Sequence, residues 1–243
     1  MKHFIPIIFL IISNIANAQS ESRIEKFRNL EPDIWLNIWD EDHSEENIKV
    51  QKLNYDEIPK YLNFRGTVVE ALKWYDKSGE NILIQTVTGH FKWKDYYPDT
   101  TEYMLQDKSE LYAYLFHKSI TSQTFKPKWR LYDFTECFGV DWYTGFIPKA
   151  TTITDLDGDG LTEISIPYVL ICRGGVDPGT MKIIMYEGSS KYALRGSTMV
   201  ACESQYSFGG EFQPSKNLND QKTFLNFLIG HWNLNKCEND RFH

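Results

Sequence analysis

Apolar and polar residues alternate in short runs along most of the chain, and the runs come in pairs around turn-forming residues. Val68, Ala71, Leu72 and Trp74 lead into Tyr75-Asp76-Lys77-Ser78-Gly79-Glu80-Asn81, and Ile82 to Thr88 follows. Two apolar runs around a Ser-Gly turn predict a β-hairpin. The same pattern predicts a second hairpin from Glu110–Phe116 and Lys128–Phe134, and a third from Thr151–Thr154 and Glu163–Ile166. A fourth pairs Lys182–Tyr186 with Lys191–Gly196 around Glu187-Gly188-Ser189-Ser190. Hairpins in series predict a mainly-β fold, an antiparallel meander arranged as a sandwich or a partial propeller. One helix is predicted near the end. Phe224, Leu225, Phe227, Leu228 and Trp232 recur at helical spacing, Asn219 or Asp220 is the candidate cap, and Gly230 the candidate stop. This stripe reads as core packed against the sheet.

The N-terminus follows another logic. Met1-Lys2-His3 precedes the apolar run Phe4–Ile12, and Ala16-Asn17-Ala18 supplies a small-residue cleavage site with Gln19 as the new N-terminus. That order predicts a cleavable secretory signal peptide over 1–18. A membrane anchor would need about 20 apolar residues, more than this run offers. No Cys follows the cleavage site, and no later segment is long and apolar enough to span a bilayer. The expected chain is exported, to the periplasm, the cell surface or the medium. Residues 19–60 are polar and mixed and read as an N-terminal arm, leaving 61–243 as one mainly-β domain.

Aromatic residues make up 15% of the chain, which suits sheets. The formal net charge of −7 disfavours nucleic acid as a partner. The acidic run Asp40 to Glu46 reads as a solvated loop. Four cysteines, Cys137, Cys172, Cys202 and Cys237, suggest two disulfides in an exported protein. Three connectivities exist. Cys137–Cys172 and Cys202–Cys237 are favoured, the first because it flanks the acidic loop and the second because it would tie the C-terminal tail to the sheet.

That loop is the most specific feature: Asp155-Leu156-Asp157-Gly158-Asp159-Gly160-Leu161-Thr162-Glu163. Alternate carboxylates on a tight loop can converge on one centre, and calcium takes six to eight oxygens. Asp155, Asp157, Asp159 and Glu163 are the candidate ligands, with the Leu161 carbonyl as a further one. The spacing matches only the first half of an EF-hand loop, and the flanks read as strands. The loop resembles instead the strand-loop-strand repeats of integrin-type FG-GAP and related calcium-binding β-propellers. Without an ion, the same residues make an ordinary acidic hairpin turn. A bound calcium is expected to be structural, since no nucleophile or general base sits beside it.

A longer stretch also has a family look. It comprises Thr154–Gly160, Glu163-Ile164, Cys172-Arg173-Gly174, Val176 and Pro178, Lys182–Met185 with Glu187-Gly188, and Lys191–Gly196. Upstream Glu136-Cys137 and Ile58–Gly89 fit it too. This set resembles a family of exported Gram-negative bacterial proteins labelled surface polysaccharide biosynthesis. The resemblance implies a cell-envelope role and supplies no catalytic residue.

The sequence carries no recognised catalytic motif. There is no G-x-S-x-G elbow, no H-E-x-x-H and no phosphate-binding glycine loop. His43, His90, His117, His231 and His243 are scattered. In Phe91–Pro98, the side chains of Trp93, Tyr96 and Tyr97 are candidate glycan contacts, with buried sheet-edge packing as the plainer account. The sequence therefore points to a non-enzymatic envelope module that binds a glycan or an envelope protein. A carbohydrate-active enzyme or accessory factor of surface polysaccharide biosynthesis is the alternative.

Overall fold

The computed structural model describes residues 48–138 and 141–238. The predicted signal peptide, the acidic run at 40–46 and most of the predicted arm lie outside the described residues.

Two antiparallel sheets face each other. The first is a meander of β1 (Gln51–Lys52), β2 (Thr67–Asp76), β3 (Gly79–Tyr96), β4 (Tyr103–Ser119) and β5 (Lys126–Cys137), hydrogen-bonded in chain order. Its β2–β3 turn is set by Asp76, whose Oδ1 accepts from the Ser78 amide at 2.8 Å. Gly79 follows at φ 140°, and a Cβ there would lie 2.3 Å from the Lys118 carbonyl, so glycine is required.

The second sheet runs β13 (Phe212–Pro214), β10 (Ser190–Ser197), β9 (Thr180–Glu187), β8 (Glu163–Arg173) and β6 (Asp141–Phe146). A short strand, β7 (Thr152–Thr154), pairs with the start of β8, while β6 pairs with its end. β6 and β7 thus run as one strand interrupted at 147–151. Two further short strands, β11 (Met199–Val200) and β12 (Phe208–Gly209), pair apart from both sheets.

The inner faces share one core. Trp74, Leu83, Leu111, Ala113 and Leu131 of the first sheet meet Phe146, Ile164, Ile166, Tyr168 and Ile184 of the second. Of the two predicted arrangements, this is the sandwich. The other face of the second sheet carries Val169, Ile171, Met181, Ile183 and Leu194, which pack on α1 (Lys222–Asn235) through Phe224, Leu228 and Trp232. β8 is therefore covered on both sides, and its residues are almost continuously buried.

The structure alters three details. Residues 48–60, assigned above to the arm, belong to the domain: Ile48, Leu53 and Ile58 are buried and β1 pairs with β2. The helix is capped at Gln221, not at Asn219 or Asp220, because a short 3-10 turn at Lys216–Leu218 ends on Asn219, whose amide donates to the Lys216 carbonyl, and the Gln221 amide donates to the Leu218 carbonyl. Gly230 does not stop it. The helix runs on to Asn235 because His231 and Trp232 are buried, and the Trp232 indole donates to the Gly210 carbonyl at 2.9 Å.

Both disulfides join the favoured cysteines, Cys137–Cys172 and Cys202–Cys237. Cys137 ends β5 and Cys172 lies near the end of β8, so the first bond staples one sheet to the other. It sits at the far end of β8 from Glu163 and does not brace the acidic loop. The second holds the tail where the Met199 amide donates to the Lys236 carbonyl and the Glu238 amide to the Met199 carbonyl.

Candidate functional site

Asp155, Asp157 and Asp159 stand together on the loop between β7 and β8, with one oxygen of each within 4.8 Å of the others. The chain folds this way because each aspartate caps an amide ahead of it. Asp155 accepts from the Gly160 amide at 3.0 Å, Asp157 from the Asp159 amide at 3.1 Å, and Asp159 from the Leu161 amide at 2.6 Å. Asp157 and Asp159 are exposed, and Asp155 is half-buried. The Asp155 Oδ1 is nevertheless shut off from solvent, with no hydrogen-bond partner among the described residues.

Glu163 opens β8 and is fully buried, at 0% exposure. Its Oε2 accepts from the Leu156 amide at 2.7 Å and from the Thr154 hydroxyl at 3.1 Å. Its Oε1 has no hydrogen-bond partner among the described residues. Burial pushes this carboxyl up to about 7, against the pull of the Leu156 and Thr154 hydrogen bonds.

A residue that sequence reading missed completes the picture. Glu187, the last residue of β9, lies directly opposite Glu163 in the ladder. Asp157, Glu163 and Glu187 form a second grouping whose oxygens lie within 4.8 Å of one another. Burial, then the charges of Asp157 and Asp159, raise the Glu187 carboxyl above its usual range. The turn at Glu187–Ser190 marks where β9 ends, but what sets Glu187 beside Glu163 is the register of β9 on β8, which no local signal carries.

The loop is docked on the first sheet. The Lys77 amide donates to the Gly160 carbonyl at 2.9 Å, and the Lys77 ammonium pairs with the Asp159 carboxylate at 3.1 Å. The donor set is all oxygen, the chemistry of a hard divalent cation.

The predicted aromatic contacts fall apart as a group. A β-bulge between Val87 and His90 changes which positions of β3 face outward. Phe91 and Trp93 pair with Lys108 and Gln106 and share the outer face of the first sheet. Tyr96, by strand alternation, faces the other way and stacks obliquely on Tyr103, and Tyr97 lies beyond the strand's end. Trp93 is half-buried under the Lys108 ammonium, 4.7 Å from its ring.

In place of that cluster the outer face carries a continuous aromatic strip. Phe116, Tyr114 and Tyr112 stack along β4, then Tyr112 on Tyr132 and Tyr132 on Phe134. Glu110 anchors it, accepting from the Tyr112 and Tyr132 hydroxyls and pairing with Arg65 at 2.9 Å. At the Phe116 end the strip opens into a groove of about 580 Å³, lined by Tyr61, Asn63, Tyr114, Phe125, Lys128 and Arg130 among others. No ion pair among the described residues involves Lys126, Lys128 or Arg130.

His90 and His117 do not meet. His90 stacks on Trp142 and His117 hydrogen-bonds Asn81. No family model, curated protein or solved structure matches this chain. Among the described residues no helix is long and apolar enough to cross a membrane.

Proposed function

We propose that this protein is an exported, calcium-stabilised binding module of the cell envelope that takes an acidic glycan on the outer face of its first sheet. The observation that carries the binding part is the groove, where aromatic rings stand beside Lys128 and Arg130, which have no carboxylate partner among the described residues. Flat rings stack on the apolar faces of sugars, and the Lys128 and Arg130 cations suit a carboxylate-bearing sugar. The lining holds no acid, imidazole or thiol, which favours binding over hydrolysis there. Pro127 sits in edge strand β5 at the groove and lacks the amide that an added peptide strand would use.

Calcium is assigned to the acidic loop, supported by the buried carboxylate oxygen of Glu163 that has no partner. Export is supported by the N-terminal sequence and by two disulfides, which persist in oxidising compartments.

A glycan array probed with the mature protein tests the binding reading. Uronate-bearing glycans are expected to bind, and the Lys128→Ala/Arg130→Ala double variant to bind at least tenfold more weakly. An array with no acidic glycan bound, or binding unchanged in that variant, would refute it.

A further inference from the structure

Glu163 and Glu187 are set directly opposite each other on neighbouring strands. Two like charges in that position repel, and nothing in the sandwich core requires acids there. The turn of the loop adds a third carboxylate, Asp157, to the same spot. The basic group that the first sheet contributes, Lys77, is engaged by the carboxylate and the carbonyl of Asp159 instead. Glu163 is fully buried, its Oε2 is held by Thr154 and Leu156, and its Oε1 has no hydrogen-bond partner among the described residues. A buried carboxylate oxygen left without a partner carries a desolvation cost that a bound cation removes.

We propose that Glu187 is a metal ligand, and that the cation sits between the loop and the end of β9, held by Asp157, Glu163 and Glu187. The proposal rests on the calcium reading above and corrects its ligand set, which had drawn on the loop alone. The donors come from a loop and two strands and are all carboxylates. Calcium accepts such irregular oxygen cages, whereas magnesium demands a near-octahedral shell and zinc prefers nitrogen and sulfur. Asp157 belongs to both acidic groupings. An ion at this position ties β8, β9 and the loop into one unit.

Calorimetric titration of the mature protein with calcium chloride, with melting curves in calcium and in chelator, tests this. Glu187→Gln keeps the shape and removes the charge. Its calcium affinity is expected to fall at least tenfold, while its melting temperature in chelator rises above that of the wild type because the repulsion facing Glu163 is gone. A merely structural Glu187 would give a lower melting temperature in both conditions. Glu187→Asp, with the charge retained on a shorter stem, is expected to bind with intermediate affinity. Wild-type affinity in Glu187→Gln would overturn the assignment of Glu187 and leave a calcium loop standing. Failure of the wild-type protein to bind calcium at millimolar concentration would overturn both.

Discussion

Trp74 and Thr162, 88 residues apart in sequence, share a buried hydrogen bond of 2.9 Å from the indole nitrogen to the threonine hydroxyl. Thr162 in turn donates to Asp76 at 3.1 Å, and Asp76 also holds Asn81 and Ser78. The base of the acidic loop is thereby fastened to the β2–β3 turn. Trp74 itself is fully buried in the core between the sheets. Trp74→Phe keeps most of the ring packing and removes the donor. It is expected to lower stability by about 1–3 kcal/mol, read from urea unfolding. No loss would show that the loop is not held through this bond.

Lys77 is the cation that the fold itself supplies to the acidic loop, through Asp159. Its removal should have opposite effects on the free and the metal-bound protein. Lys77→Met is expected to melt at lower temperature in chelator, since the carboxylates lose a counter-charge. Its calcium affinity is expected to rise by about three- to tenfold, because the site is more negative and Asp159 is released. Titration calorimetry reads the second effect, and an unchanged affinity would place the ion beyond the reach of Lys77.

The two disulfides each close a sequence separation of 35 residues. In the chain-entropy account each contributes about 3–4 kcal/mol. Cys137→Ser/Cys172→Ser, which unstaples the two sheets, is expected to lose that much in a denaturant melt. Peptide mapping of the non-reduced protein should recover the two named pairs and no other.

Acid sensitivity is expected from Glu80. Burial pushes its carboxyl up, but hydrogen bonds from Lys118, Lys73 and Tyr75 outweigh that and hold it down at about 2. A depressed carboxyl stabilises the fold fully above its unfolded value near 4.5, and the contribution disappears as the pH falls through about 2. Stability measured across that window should fall with the pH in the wild type. Glu80→Gln should be less stable at neutral pH, because Lys73 and Lys118 lose their partner, and flatter over the acidic window.

The hairpins were legible in the sequence because turn chemistry is local. Asp76 to Gly79 and Glu187 to Ser190 announce their turns without reference to anything distant. The loop aspartates were legible for the same reason. Glu187 was not, because its place beside Glu163 is a matter of register between β8 and β9, and register depends on where each strand begins to pair. Trp93 and Tyr96, three residues apart on one regularly paired strand, face opposite sides by alternation alone, and the bulge at Val87–His90, which sets which side is outward, leaves no mark in the sequence. The end of the helix was misread at Gly230 because the burial of Trp232 against the sheet overrides a weak local stop. The outer aromatic strip was visible as Tyr112, Tyr114 and Phe116 at alternate positions. What turned it into a groove was the segment carrying Tyr61 and Asn63, which packs over the sheet from a distant part of the chain.

The most direct measurement is the melting temperature of the mature protein in calcium and in excess chelator, beside Asp157→Ala. Asp157 is common to both acidic groupings, so its loss should damage either arrangement of ligands. Calcium at about 100 times its dissociation constant should stabilise the wild type by roughly 2.7 kcal/mol, raise its melting temperature in a concentration-dependent way, and leave Asp157→Ala nearly unmoved. A wild-type melting temperature that is the same in millimolar calcium and in chelator would contradict the account and reduce the loop to an acidic turn.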